Sequence, residues 1–187
     1  VPRVYEKIHA NALGEIERAG GMKRRIGLWA VSVGGKVSRV ERTGRTPGPW
    51  LKLQHSLADK LVFAKVRARL GGKLRVGVSG AAPLAIDVME FFHAMGVPVI
   101  ETYGMTEAAS QIAANPMGRR KPGSVGKPAM GPIHICDEQG RVLGPDEAGT
   151  IFFEVPAGRK VDYLNDPEKA KRAQHPEHDN WFTVGDI

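Results

Sequence analysis

The stretch Val97-Pro98-Val99-Ile100-Glu101-Thr102-Tyr103-Gly104-Met105-Thr106-Glu107 decides how the chain is read. Its first six residues form an apolar run that reads as a buried strand, and an aromatic ring, a glycine, a hydroxyl and a carboxylate follow directly. In open α/β sheets ligands bind beyond the carboxyl ends of the strands, so these groups arrive where a ligand would be met. The ring suits stacking on a base, the hydroxyl suits a phosphate, and the carboxylate suits Mg²⁺, a hard cation that prefers oxygen. From spacing alone, Tyr103 as a core aromatic and Glu107 as a surface carboxylate is an equal reading. Two companions favour the ligand: Ser79-Gly80-Ala81-Ala82-Pro83 at the end of the preceding apolar run, and Thr183-Val184-Gly185-Asp186 at the far end of the chain.

Working outward, Lys73 to Ser79 reads as a short strand, Pro83 opens a helix from about Leu84 to Met95, Gly96 ends it, and Val97 to Thr102 is the second strand. Strand, helix and strand in about thirty residues predict a right-handed βαβ unit with parallel strands. Both glycine-bearing motifs then leave the same edge of the sheet. Upstream, Val4, Ile8, Ala12 and Ile16 predict a helix over 2–18, and a second runs from Met22 to about Val40, weakened by Gly34-Gly35. A third spans Trp50 to Leu70, with Leu53, Leu57, Leu61, Ala64 and Ala68 expected to face a core. After Asn115-Pro116 the composition turns to Gly, Pro and short β runs at Ile133 to Asp137 and Thr150 to Val155, which predict an antiparallel subdomain. Asp166-Pro167 starts a short helix, and His175 to Asn180 reads as a polar loop. The division expected is an α/β part over 1–115 and a β-rich part over 116–187.

The chain has 187 residues, 42% hydrophobic and 25% charged, as in an ordinary globular protein. No stretch approaches the roughly 18 uninterrupted apolar residues of a membrane span, and the first residues lack the layout of a signal peptide. The single cysteine, Cys136, excludes an intrachain disulfide and is expected as a small buried hydrophobe. The formal net charge of +7 is scattered, with no basic stripe interleaved with aromatics, so no nucleic-acid partner is expected. Its sharper meaning is attraction of phosphorylated substrates. His9, His55, His134, His175 and His178 share no metal-ligand spacing, and His93, among Phe91, Phe92 and Met95, is expected to be a packing histidine. Phe91 and Phe92 read as core. Lys127 and Arg159 read as solvated, with phosphate contact as the alternative.

Taken together these segments resemble the adenylate-forming (AMP-binding) enzymes, and within them the bacterial long-chain acyl-CoA synthetases. Val1 to Ile8 is similar to the opening of this region in that family, and Leu57-Ala58-Asp59-Lys60-Leu61-Val62-Phe63-Ala64 through Gly72 resembles its long-chain branch. Ser79 to Leu84 is similar to the adenine-side loop and Tyr103 to Glu107 to the signature motif. Lys121-Pro122-Gly123-Ser124-Val125-Gly126-Lys127-Pro128 and Trp181 to Asp186 complete the family order. The resemblance implies an α/β fold, part of the large N-terminal domain of such a synthetase. It implies that Tyr103 stacks on adenine while Gly80, Ala81, Ala82 and Pro83 line the base beside Gly104 and Met105. Thr106 would bind the α-phosphate, Glu107 would hold Mg²⁺, and Asp186 would accept from the ribose hydroxyls. The implied reaction joins a fatty acid to ATP as acyl-AMP and then to coenzyme A. It needs no side-chain nucleophile, and no Ser-His-Asp or Cys-His set stands out here.

Two departures accompany the resemblance. The family's phosphate loop is expected before Val1 and its C-terminal domain with a catalytic lysine after Ile187, so the 187 residues are expected to be inactive alone. Phe153 to Lys160 lacks the Gly-Pro stretch of many long-chain members, which leaves the chain length open. The alternatives are a ligase for a medium-chain, aromatic or steroid acid, one that passes acyl groups to a carrier protein, or a non-catalytic nucleotide-binding module. A cytoplasmic location is expected. Peripheral membrane contact enters only through long-chain substrates, since no strongly amphipathic basic anchor is visible.

Overall fold

The computed structural model describes residues 2–108, 111–116, 120, 121, 123–129, 131–156, 158 and 160–187. Val1, Pro122 and Arg159, each part of a sequence expectation above, lie outside the described residues. The chain is mixed α/β and divides into two compact units, one of residues 1–103 and 114–127, the other of residues 104–113 and 128–187.

The first unit begins with helices α1 (Pro2–Arg18) and α2 (Gly21–Arg42). Buried Gly27, Ala30, Val33, Gly34 and Val37 recur along α2 at helical spacing. Gly34 does not interrupt the helix, because a methyl group there would stand 2.4 Å from the Ala94 Cβ and 2.8 Å from the Phe63 ring. The glycine is where a second helix comes closest. α3 (Pro49–Ala58) passes through a π-helical turn, Asp59–Phe63, into α4 (Ala64–Arg69). Here the expected stripe is corrected: Leu53, Leu57 and Leu61 are 62%, 50% and 40% exposed, and the buried side carries Ala58 and Phe63 instead. Leu53 and Leu57 precede the π turn and Leu61 lies within it, so the three share an exposed side and the apolar spacing marks the wrong face of the helix. The turn is anchored by Arg67, which donates to both Asp59 carboxylate oxygens and to the Met95 carbonyl.

β1 (Gly77–Ser79), α5 (Ile86–Ala94) and β2 (Val99–Tyr103) form the βαβ unit, and the two strands pair in parallel with Ser79 opposite Glu101. β1 is shorter than its apolar run predicts. Gly77 N–H donates to the Pro98 carbonyl at 2.9 Å, and upstream of it Leu74 and Val76 are exposed. An apolar residue becomes strand only where a neighbour supplies the ladder. The sheet order is β1-β2-β3-β4, with β3 Ala113–Ala114 and β4 Lys127–Pro128. α5 is the largest contributor to the core: Val88, Met89, Phe91, Phe92 and Ala94 are all buried, so Phe91 and Phe92 are packing residues.

The second unit is built on an antiparallel sheet of β5 (Ile133–Cys136), β6 (Thr150–Glu154) and β7 (Trp181–Phe182). β5 and β6 align Ile133 with Phe153 and Cys136 with Thr150. The turn leaving β5 is held by the Asp137 carboxylate, which accepts from the Gln139 and Arg141 amides at 2.9 Å. Cys136 is fully buried, and burial pushes its thiol above the ordinary range, so it packs rather than reacts. α6 (Pro167–Ala173) starts as predicted, with the Asp166 side chain accepting from the Lys169 amide at 2.9 Å. The segment read as a polar loop contains a buried His175, whose Nε2 meets the Gly140 carbonyl at 2.8 Å and whose Nδ1 accepts from the Glu177 amide. Trp181 lies stacked between His134 and His178, at ring separations of 3.6 and 3.9 Å.

Candidate functional site

In the first unit the two sequence motifs leave the carboxyl ends of adjacent parallel strands. Gly80 follows β1 so closely against β2 that a methyl group there would meet the Thr102 hydroxyl at 2.9 Å, one residue before Tyr103. The next residue, Ala81, has φ +70°, a left-handed conformation that side-chain-bearing residues adopt at a cost. Ala81, Ala82 and Pro83 are exposed, and Gly80 and Tyr103 are half-buried. The far end of the loop is tied down by Glu101, whose carboxylate accepts from the Leu84 amide at 3.3 Å. Ser79, at the loop's root, is buried with its hydroxyl oxygen lacking a hydrogen-bond partner. Such an orphaned polar atom in a native fold is unusual, and here it sits beneath exposed small residues in a strained turn. The arrangement is an exposed run of small residues at the carboxyl end of β1.

The segment Lys121 to Pro128 is organised from within this unit. Asn115 donates to the Ser124 carbonyl and accepts from the Lys121 amide at 3.0 Å, while the Ser124 hydroxyl accepts from the Gly126 amide at 3.1 Å. Gly126 has φ +92°, and a Cβ on it would fall 2.0 Å from the Ala114 carbonyl oxygen. This motif therefore reads first as a structural clasp. Lys127 is exposed.

The second unit holds Gly104, Met105, Thr106 and Glu107. Thr106–Ala108 forms one 3₁₀ turn, in which the Ala108 amide donates to the Met105 carbonyl at 3.2 Å. Thr106 is exposed and Glu107 half-buried. Glu107 lines a cavity of about 170 Å³ whose wall is mainly apolar, from Ala108, Ile112, Pro132, Phe153, Val155 and Val161, with Glu154 and Lys160 as its other charged members. Tyr163 donates its hydroxyl to Glu107 Oε1 at 3.2 Å. Burial and that bond raise the Tyr163 pKa, so the phenol stays protonated and keeps donating. The ammonium of Lys169 sits 3.9 Å above the Tyr163 ring and restrains it. Glu154 is engaged elsewhere, meeting His134 Nε2 at 2.8 Å. Asp186 is exposed near the carboxyl end, and its carbonyl accepts from the Ile151 amide at 2.9 Å, beside β6.

Sequence reasoning missed Tyr163, Lys160 and Glu154. Tyr163 is 56 residues from the carboxylate it holds, and no spacing pattern marks such a pair. The donor set also bears on a metal. Among the described residues no group of three acidic, histidine or cysteine side chains converges. A single well-held carboxylate fits Mg²⁺, which commonly takes one or two carboxylates from a protein and its other oxygens from water and substrate phosphates.

A mixed α/β protein with small-residue and carboxylate-bearing segments beyond its strand ends is the class these features define. The AMP-binding enzyme family model matches residues 1–158, and the chain belongs to that family. It is 33% identical over 189 aligned residues to the long-chain-fatty-acid–CoA ligase FadD15 of Mycobacterium bovis, covering 100% of this chain and 28% of that protein. Among solved structures it is similar to apo MatB from Rhodopseudomonas palustris, with a TM-score of 0.55 and 31% identity over 72% of this chain and 26% of that one. It is also similar to the O-succinylbenzoate coenzyme A synthetase MenE from Bacillus subtilis in complex with ATP and magnesium ion, with a TM-score of 0.51 and 27% identity over 65% of this chain and 27% of that one. The chain spans under a third of the length of the curated relatives it matches. Among the described residues no helix is long and apolar enough to cross a membrane.

Proposed function

We propose that this chain is the nucleotide-handling part of an ATP-dependent acid–CoA ligase, with a long-chain fatty acid as substrate. The observation that carries the reading is Glu107, a carboxylate on a 3₁₀ turn three residues beyond Gly104, held by Tyr163 and open to a largely apolar cavity. In an AMP-binding enzyme, that is a group placed for a phosphate-bound cation beside space for an apolar group. The name of FadD15 and the likeness of Leu57 to Gly72 to the long-chain branch support the fatty acid.

In this reading Tyr103 stacks on the adenine, and the exposed backbone of Gly80, Ala81, Ala82 and Pro83 borders the base, where small side chains let main-chain groups approach. Gly104 and Met105 carry the chain onward, Thr106 donates its hydroxyl to the α-phosphate, and Asp186 accepts from the ribose hydroxyls. Mg²⁺, when bound through Glu107, would supply positive charge against the phosphate oxygens. The acid's carboxylate forms a bond to the α-phosphorus as pyrophosphate leaves, and the thiol of coenzyme A then forms a thioester as AMP leaves. The protein's task in both steps is to hold the groups in line and keep donors aimed at developing charge.

The test is ATP–pyrophosphate exchange by the complete protein over short, medium, long and aromatic acids, with Glu107→Ala in parallel. Exchange is expected to peak with long-chain acids and to fall at least about a hundredfold in the variant. A peak with aromatic acids would move the substrate toward the class in the name of MenE. ATP binding by a folded protein with no exchange for any acid would overturn the ligase reading in favour of a binding module.

A further inference from the structure

A second cavity, of about 370 Å³ and wholly within the first unit, is lined by Arg42, Arg45, Thr46, Glu41, His93 and Arg120. Three separate stretches of sequence converge there: residues 41–47 at the end of α2 and the loop after it, the last turn of α5, and the residues beyond β3. None of them belongs to the nucleotide reading above. Its charges are unbalanced. Arg120 donates one N–H to the Val99 carbonyl at 3.1 Å and has no carboxylate within ion-pair distance among the described residues. Burial, then the neighbouring charge of Arg42, lower its pKa, and the charges of Glu101 and Glu41 offset this only in part. Arg42 reaches only a long 3.4 Å contact with Glu90, a carboxylate shared with Arg39. The Arg45 side chain is exposed and makes no ion pair or side-chain hydrogen bond among the described residues. Glu41, the one acidic group in the lining, faces His93 Nε2 at 3.4 Å, and His93 Nδ1 meets the Ser38 hydroxyl at 2.8 Å. With its pKa lowered to about 4, His93 is neutral at pH 7 and adds no charge.

We propose that this cavity is a binding site for a soluble phosphate monoester, gripped by Arg42, Arg45 and Arg120. Three guanidiniums against one carboxylate leave a net positive lining, and the planar fork of arginine matches phosphate oxygens bidentately. A phosphate would add negative charge between Arg42 and Arg120, and the Thr46 hydroxyl and the loop backbone at Gly44 are further polar groups at the wall. Pro47 is the only apolar side chain in that wall among the described residues, which favours a compact polar ligand over a lipid tail.

The test is calorimetric titration of the protein with inorganic phosphate and with methyl phosphate at pH 7.5, at ionic strength fixed with sodium chloride. Both probes are expected to saturate. Arg45→Glu, at an exposed and unpartnered position, is expected to weaken them at least about tenfold with an unchanged melting temperature, and Arg45→Lys less, because it keeps the charge and loses the fork. Thr106→Ala is expected to leave phosphate binding unchanged, and Arg45→Glu to leave ATP binding unchanged, which separates this site from the nucleotide reading. Equal binding by Arg45→Glu and the parent, or loss in Thr106→Ala alone, would overturn the proposal.

Discussion

The two units are stabilised by different chemistry. The first rests on aliphatic and phenyl side chains: Phe92 is fully buried, makes edge-to-face contacts with Tyr5 and Phe91, and shares its core with Val88, Met95, Val97 and Val99. The second gathers its aromatic packing around Trp181, where His134, His175 and His178 supply the neighbouring rings and Cys136 and Phe152 the apolar remainder. An apolar core gains from leaving water and asks little of its partners beyond fit. A histidine stack gains less area but fixes orientation, since each ring nitrogen must also find its hydrogen-bond partner, as His134 does with Glu154 and His175 with Gly140. Directional packing also enters the first unit, where His55 meets the Phe63 ring and the Ala94 carbonyl, but it is concentrated around Trp181 in the unit that carries Glu107.

The largest expected effects test this contrast directly. Phe92→Ala should cost about 4 kcal/mol, and Trp181→Ala, whose neighbours are partly polar and can rehydrate, about 3 kcal/mol, both read from urea unfolding followed by circular dichroism. A Trp181 cost above that of Phe92 would break the comparison by showing the stack to be the stronger element.

A smaller effect sits on His93, the histidine of the first unit with the large shift. His93 is lowered to about 4 from 6.5, first by burial and then by the charges of Arg120, His55 and Arg42. Above pH 6.5 both the folded and unfolded chains hold it neutral. As pH falls below that value the unfolded chain takes the proton first, so stability declines until the folded form also protonates near pH 4. The loss should reach about 1–2 kcal/mol once screening at the ring's exposed edge is allowed for, and His93→Gln should remove that part of the slope. Asp59, held below its ordinary value of 3.8 by the Arg67 hydrogen bond, and Asp137, held down first by the Arg141 amide, contribute their losses at more acidic pH, whereas His9, lowered by burial, adds its own loss within this window and is untouched by the variant. An identical slope in the variant would show that His93 is protonated in the folded protein.

The smallest effect belongs to the loop. Ala81→Gly should raise stability by about 0.5–1 kcal/mol, because glycine accepts the left-handed backbone that alanine resists. A melting temperature that does not rise would mean that the loop relaxes and that Ala81 carries no strain.

Much of the architecture follows from local pattern. The helix expected over 2–18 is α1, the parallel pairing of β1 with β2 follows the strand-helix-strand spacing, and the antiparallel pair β5 and β6 matches its two apolar runs within a residue or two. Family membership is equally legible, because several short motifs occur in order along one chain. These are properties of neighbours in sequence: periodicity, caps such as Asp166, and breakers such as Gly96.

What sequence could not determine depends on partners far along the chain. Leu53, Leu57 and Leu61 have the spacing of a core stripe, yet they are exposed and the same helix buries Ala58 and Phe63 instead. Gly34 reads as a weak point in a helix until Ala94 and Phe63 arrive against it. The orphaned hydroxyl of Ser79, the left-handed backbone of Ala81, the hold of Tyr163 on Glu107 and the meeting of Arg42, Arg45 and Arg120 are likewise long-range outcomes. The sequence by itself determined the elements and the family, because hydrophobic period and turn chemistry act over a few residues. Only the tertiary structure decided which faces are buried and which charges lack partners, because burial and electrostatics depend on distance in space and not on separation along the chain.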